Sequence, residues 1–80
     1  MNDTEIVQQI DQLVAQEHDL ERQHAADGLS EDDRKRLEDI EVRLDQCWDL
    51  LRQRRARRDA GQDPSEAEVR PAEVVEHYQQ

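Results

Sequence analysis

Two apolar stripes of helical spacing, separated by one glycine-containing turn, restrict this chain to a helical hairpin. The first stripe places Ile6, Ile10, Leu13, Glu17, Leu20 and His24 at alternating steps of four and three, widened by Val7 and Val14. The second places Leu37, Ile40, Leu44, Cys47 and Leu51 at the same steps, flanked by Trp48 and Leu50. Asn2 followed by Glu5 has the spacing of a capping box, and Ser30 followed by Glu31, Asp32 and Asp33 reads as an N-cap with an acidic first turn. Gly28 supplies the left-handed conformation that ends many helices, and Gly61 marks a second stop. The expected fold is therefore all-α: an antiparallel two-helix hairpin over about 3–27 and 31–60.

A short turn makes consecutive helices antiparallel neighbours. Folding the chain between Gly28 and Leu29 sets opposite one another residues whose numbers add to 57. Leu20 then faces Leu37, Leu13 faces Leu44, Ile10 faces Cys47 and Ile6 faces Leu51. The apolar layers find apolar partners, apart from Glu17 opposite Ile40 and the polar turn end at His24. Two stripes read separately thus agree on one register.

Such a hairpin has little to bury. Of 80 residues 34% are hydrophobic and 40% charged, there is no Phe, and the aromatics are Trp48 and Tyr78. Chains this small gain stability from disulfides, metals or oligomerisation. A single cysteine, Cys47, excludes an intrachain disulfide framework. Since Trp48, Leu50, Val7 and Val14 broaden the stripes beyond what one hairpin covers, a homodimer in a four-helix arrangement is expected. No stretch reaches the ~20 apolar residues needed to span a bilayer, so no membrane association is expected. The acidic N-terminus lacks the basic start and apolar run of a signal peptide, which with one thiol places the protein in the cytoplasm.

Charge divides the chain further. The net charge is −10, yet the second helix carries nine acids and nine bases, with Arg52, Arg54, Arg55, Arg57 and Arg58 gathered near its end. Residues 61–80 form an acidic tail separate from the hairpin of residues 1–60, with five acids and one base, Arg70. Asp63 and Pro64 have the cap and first-turn positions of a short helix, and Val74, Val75 and Tyr78 supply one further apolar turn. Arg54 lies opposite Asp3, whereas Arg55, Arg57 and Arg58 project past the start of the first helix. The tail leaves from that end with Glu66, Glu68, Glu73 and Glu76. It is expected to cover the arginines, with its apolar turn near Trp48.

The segment LDQCWDLLRQRRARR, residues 44–58, together with Gly61-Gln62-Asp63-Pro64 and Val69-Arg70-Pro71, resembles a family of small actinobacterial proteins known only as a domain of unknown function. The resemblance covers nearly the full length and implies a free-standing small protein. It implies no catalytic or binding residue.

Chemistry is sparse. Five arginines in seven residues can grip phosphate, but cations also belong at a helix C-terminus, and the net charge and scarce aromatics oppose a nucleic-acid footprint. Glu17, Glu21 and His24 share a helix face at ligand spacing, but Leu37 and Ile40 occupy the facing positions where further metal ligands would be needed. Cys47 lies in the apolar seam without a histidine beside it, so it reads as a small hydrophobe. No glycine-rich loop or serine-based triad is present. No catalytic residue, metal site or cofactor is expected.

The sequence thus reads as a non-enzymatic helical protein-interaction module with an unidentified protein partner. Its candidate interaction surface comprises Trp48, Arg52, Arg54, Arg55, Arg57, Arg58, Val74, Val75 and Tyr78. The alternatives are a nucleic-acid-associated regulator using the Arg52–Arg58 cluster and a carboxylate–histidine metal protein.

Overall fold

Each helix starts and stops where its local chemistry satisfies the orphaned backbone groups. At the N-terminus the Asn2 side chain accepts from the Glu5 N–H at 2.8 Å, and Glu5 Oε1 accepts from the Asn2 N–H at 3.0 Å. This reciprocal box opens α1, Asp3–Gln23. The computed structural model describes residues 2–24 and 28–77. Residues 25–27, which the sequence assigns to the end of the first helix, lie outside the described residues, as does Tyr78. Gly28, at φ 75°, donates its N–H to the His24 carbonyl at 2.9 Å.

Ser30 Oγ accepts from the Asp33 N–H at 3.2 Å and opens α2, Glu31–Asp59. Its far end closes in a Schellman motif: Gly61 N–H donates to the Arg58 carbonyl and Gln62 N–H to the Arg57 carbonyl, at 3.1 and 2.7 Å. Gly61 takes φ 74° to do so. Asp63 then caps a single 3-10 turn, Pro64–Glu66, accepting from the Ser65 N–H at 2.9 Å. That bond holds the Asp63 carboxyl below its usual range. The last helix, α3, spans Ala72–His77.

The architecture is all-α, with α1 packed against α2 as the sequence requires, and both the 3-10 turn and α3 packed against α2. Two side-chain contacts fix the hairpin register at its two ends. Arg54 meets Asp3, and His24 Nε2 meets Asp33; in both pairs the residue numbers add to 57. Between them Ile6, Ile10 and Leu50 form the buried cluster, with Val14, Leu44, Cys47, Leu51 and Ala67 packed against it. Leu20 and Ile40 are buried nearer the turn. The molecule is elongated, 51 × 25 × 17 Å.

The tail lies along α2 because specific side chains hold it there. Gln53 Nε2 donates to the Glu68 carbonyl at 2.7 Å, and Gln46 Nε2 donates to the Arg70 carbonyl at 3.2 Å. The chain therefore runs back up α2 into α3, whose Val75 is 1% exposed. At the centre of this contact sits Asp49, at 0% exposure the most deeply buried charge among the described residues. Arg70 donates to both of its oxygens, and Gln53 adds a third hydrogen bond at 2.9 Å. A buried carboxylate is tolerated only with such full compensation.

This arrangement corrects the expected course of the tail. Gln46, Asp49 and Gln53, which grip it, lie on one face of α2. Trp48 is turned about 100° from Asp49 and further from the other two. The tail consequently docks on the flank away from Trp48. Val74 is 40% exposed rather than part of an apolar contact there.

Candidate interaction surface

The arginines at the end of α2 fan around the helix by about 100° per residue, so five neighbours in sequence meet different surroundings. Arg54 points into the seam, its side chain 11% exposed, donating to Asp3 and to the Pro64 carbonyl, the latter at 3.2 Å. Arg58, one turn on, shares that face and reaches the other oxygen of Asp3 at 3.0 Å. Arg57 faces the tail and approaches Glu66 at 3.5 Å. Arg52 and Arg55 are exposed beside Trp48.

Two expectations about this cluster are therefore corrected. Arg58 is neutralised by Asp3 of α1, not by the tail, because the i, i+4 relation to Arg54 lets one carboxylate serve both. Among Glu66, Glu68, Glu73 and Glu76, only Glu66 makes an ion pair with the arginines. Among the described residues the tail meets the cluster at two points, Arg57 through Glu66 and Arg54 through the Pro64 carbonyl, while its course carries Glu68, Glu73 and Glu76 away along α2. Asp3 bears the electrostatic mark of its two partners: the hydrogen bond from Arg54, then the charge of Arg58, hold its carboxyl below its usual range despite partial desolvation.

What remains on the flank away from the tail is a shallow groove whose lining includes Asp3, Trp48, Leu51, Arg52 and Arg55. Trp48 is 49% exposed there. Val7, one turn on from Asp3 and on the same side of α1, is 44% exposed. Of the residues expected to form the interaction surface, the structure brings together Trp48, Arg52, Arg55 and Arg58 on this flank. Arg54 belongs to the seam, Arg57 and Val75 to the tail contact, and Val74 to neither. Tyr78 lies outside the described residues.

A second groove, on the tail side, is lined by four amides, Gln9, Gln12, Gln16 and Gln46, together with apolar side chains that include Leu13, Leu50 and Val69. Cys47 opens onto it and makes a weak contact to Gln9 Oε1 at 3.8 Å. Burial pushes the Cys47 thiol up, the direction of an unreactive sulfur. Glu17 is half-buried in the hairpin seam, Glu21 is exposed, and His24 is taken up by Asp33. Among the described residues no three His, Cys, Asp or Glu side chains are grouped to hold a metal ion. None of the described helices is long and apolar enough to cross a membrane.

Sequence reasoning missed the residues that organise the molecule's other flank, Asp49, Gln53, Gln46 and Arg70. One signal was present: Arg70 is the only base in an acidic tail. Nothing in the spacing indicated which of nine acids in the second helix it would meet.

Fold and surface together define a helical hairpin whose tail is clamped to one flank and whose other flank carries an exposed tryptophan among arginines. The chain belongs to the family described as a protein of unknown function, DUF2630, which it matches over residues 2–80. This bears out the resemblance carried by residues 44–58. Uncharacterised proteins of Mycobacterium tuberculosis and Mycobacterium bovis are 53% identical to it over 77 residues, covering 95% of this chain and 88% of each relative. No solved structure matches the chain.

Proposed function

We propose that this protein is a small, non-enzymatic protein-interaction module that self-associates through the flank carrying Trp48. The observation that supports this reading is the position of Trp48, 49% exposed on a flank that, among the described residues, neither α1 nor the tail covers. A tryptophan so placed is costly in water and is the residue type most enriched at the energetic centre of protein interfaces. Val7 extends the apolar area on the same side. The thin core, with six buried hydrophobic side chains among the described residues, gives the chain a thermodynamic reason to associate. The proposed setting is the cytoplasm, where the free thiol of Cys47 stays reduced.

The nucleic-acid alternative draws on the same helix end and is the weaker reading. Arg54, Arg57 and Arg58 are already engaged within the chain, and a net charge of −10 opposes long-range attraction to phosphate. Light scattering at micromolar concentration tests the proposal. The expected mass is twice the 9.5 kDa of the chain, falling to one chain for Trp48→Ala. A single-chain mass at every concentration for the unaltered protein contradicts it.

A further inference from the structure

The flank around Trp48 carries a pattern that says how a second copy would sit. Glu41, Trp48 and Arg55 are spaced by seven residues on α2, which places them on one stripe at intervals of about 10.5 Å. All three are exposed. Neither Glu41 nor Arg55 forms an ion pair among the described residues, in a molecule where most of the neighbouring arginines are paired. The stripe thus reads, along the helix, as an unpaired acid, an exposed tryptophan and an unpaired base.

Such a stripe is complementary to itself when reversed. A two-fold axis through Trp48, perpendicular to the helix, stacks the tryptophan on its copy and pairs Glu41 with the partner's Arg55, and Arg55 with the partner's Glu41. Two-fold interfaces are isologous in this way, each unlike pair occurring twice. A parallel pairing in register would set Glu41 on Glu41 and Arg55 on Arg55, which like-charge repulsion disfavours.

We propose that the protein forms an antiparallel two-fold dimer through α2, with Trp48 on the axis and two Glu41–Arg55 ion pairs flanking it. The inference rests on the reading that the Trp48 flank is where a copy docks, and it adds the orientation and the residues that select it. The described part of the tail, clamped on the opposite flank by Asp49 and Arg70, does not obstruct this pairing.

Sedimentation equilibrium of four full-length proteins tests the orientation: the unaltered chain, E41R, R55E, and the double variant E41R/R55E. Both substituted sites are exposed, and circular dichroism confirms that the helices persist. Each single reversal creates two like-charge contacts and should raise the dimer dissociation constant about tenfold or more at low salt. The double variant restores both unlike pairs and should return to within about threefold of the unaltered protein. An unaltered dimer that the single reversals leave unchanged, or that the double variant fails to rescue, overturns the orientation while leaving self-association standing. An unaltered protein that is monomeric throughout overturns both.

Discussion

Arg70 grips Asp49 through two hydrogen bonds, at 2.9 and 2.8 Å, and this pair of residues joins the tail to the hairpin. Asp49 is wholly buried while Arg70 keeps 38% of its side chain in water, so the clamp is buried at one end only. The geometry makes Arg70 more than a surface charge: it satisfies a carboxylate that the tail's own docking removes from solvent. Removing Arg70 would leave that carboxylate under the tail with Gln53 as its remaining side-chain donor.

Arg70→Ala should therefore destabilise the protein by about 2–3 kcal/mol, below the range for a fully buried pair because Arg70 is partly hydrated. Asp49→Ala combined with Arg70→Ala should cost less than the two single changes added together. Urea unfolding of the four proteins measures this coupling. Strictly additive losses would mean that the two side chains do not depend on one another.

Deleting residues 62–80 should lower stability and leave affinity for polyanions nearly unchanged. The tail occupies Arg57 through Glu66 and Arg54 through the Pro64 carbonyl, while Arg54 and Arg58 keep Asp3. Heparin chromatography of the two forms should give elution at closely similar salt concentrations. A marked rise in retention for the truncated form would show that the tail shields the arginines after all.

How much of this was legible from sequence depends on whether the signal is periodic. The register was legible because two apolar stripes had to match, and Asp3–Arg54 and His24–Asp33 confirm it at both ends. The caps at Asn2, Ser30 and Asp63 were legible because capping is local, within three residues. The tail's course was not. It depends on one pair 21 residues apart, Asp49 and Arg70, and on two glutamine amides binding carbonyl groups, none of which leaves a repeating pattern. The arginine cluster was half legible. Its members share a segment, but the helix turn sends Arg54, Arg57 and Arg55 to the seam, the tail and the open flank respectively.

Acid should weaken the seam through Asp3. Its folded carboxyl value lies below the unfolded one, chiefly because of the Arg54 hydrogen bond. A group of this kind contributes stability that is fully present above its unfolded value and is lost as pH falls through the folded value. Asp3→Asn should thus be less stable than the unaltered protein near neutrality, with the difference closing below about pH 4. Thermal unfolding of both proteins across that range provides the test. A difference independent of pH would show that the carboxylate charge contributes nothing.

Gly61 should be the more informative of the two turn glycines. Its φ of 74° is unfavourable for an L side chain, yet an added Cβ would meet nothing within 4 Å. Gly61→Ala should cost about 1–2 kcal/mol, and Gly61→Asn less, since asparagine visits this region more readily. Equal losses in thermal stability for the two substitutions would point to an interaction of the glycine itself.

The central claim, that the Trp48 flank is an interface, is tested most directly by the fluorescence of Trp48 itself, the chain's one tryptophan. Emission is measured while the protein is diluted from high to low micromolar concentration and below, with mass followed in parallel. The account predicts blue-shifted emission from a buried indole at high concentration, moving to the red as the mass falls to that of one chain. A dimer whose Trp48 emission stays that of a water-exposed indole at every concentration would contradict it.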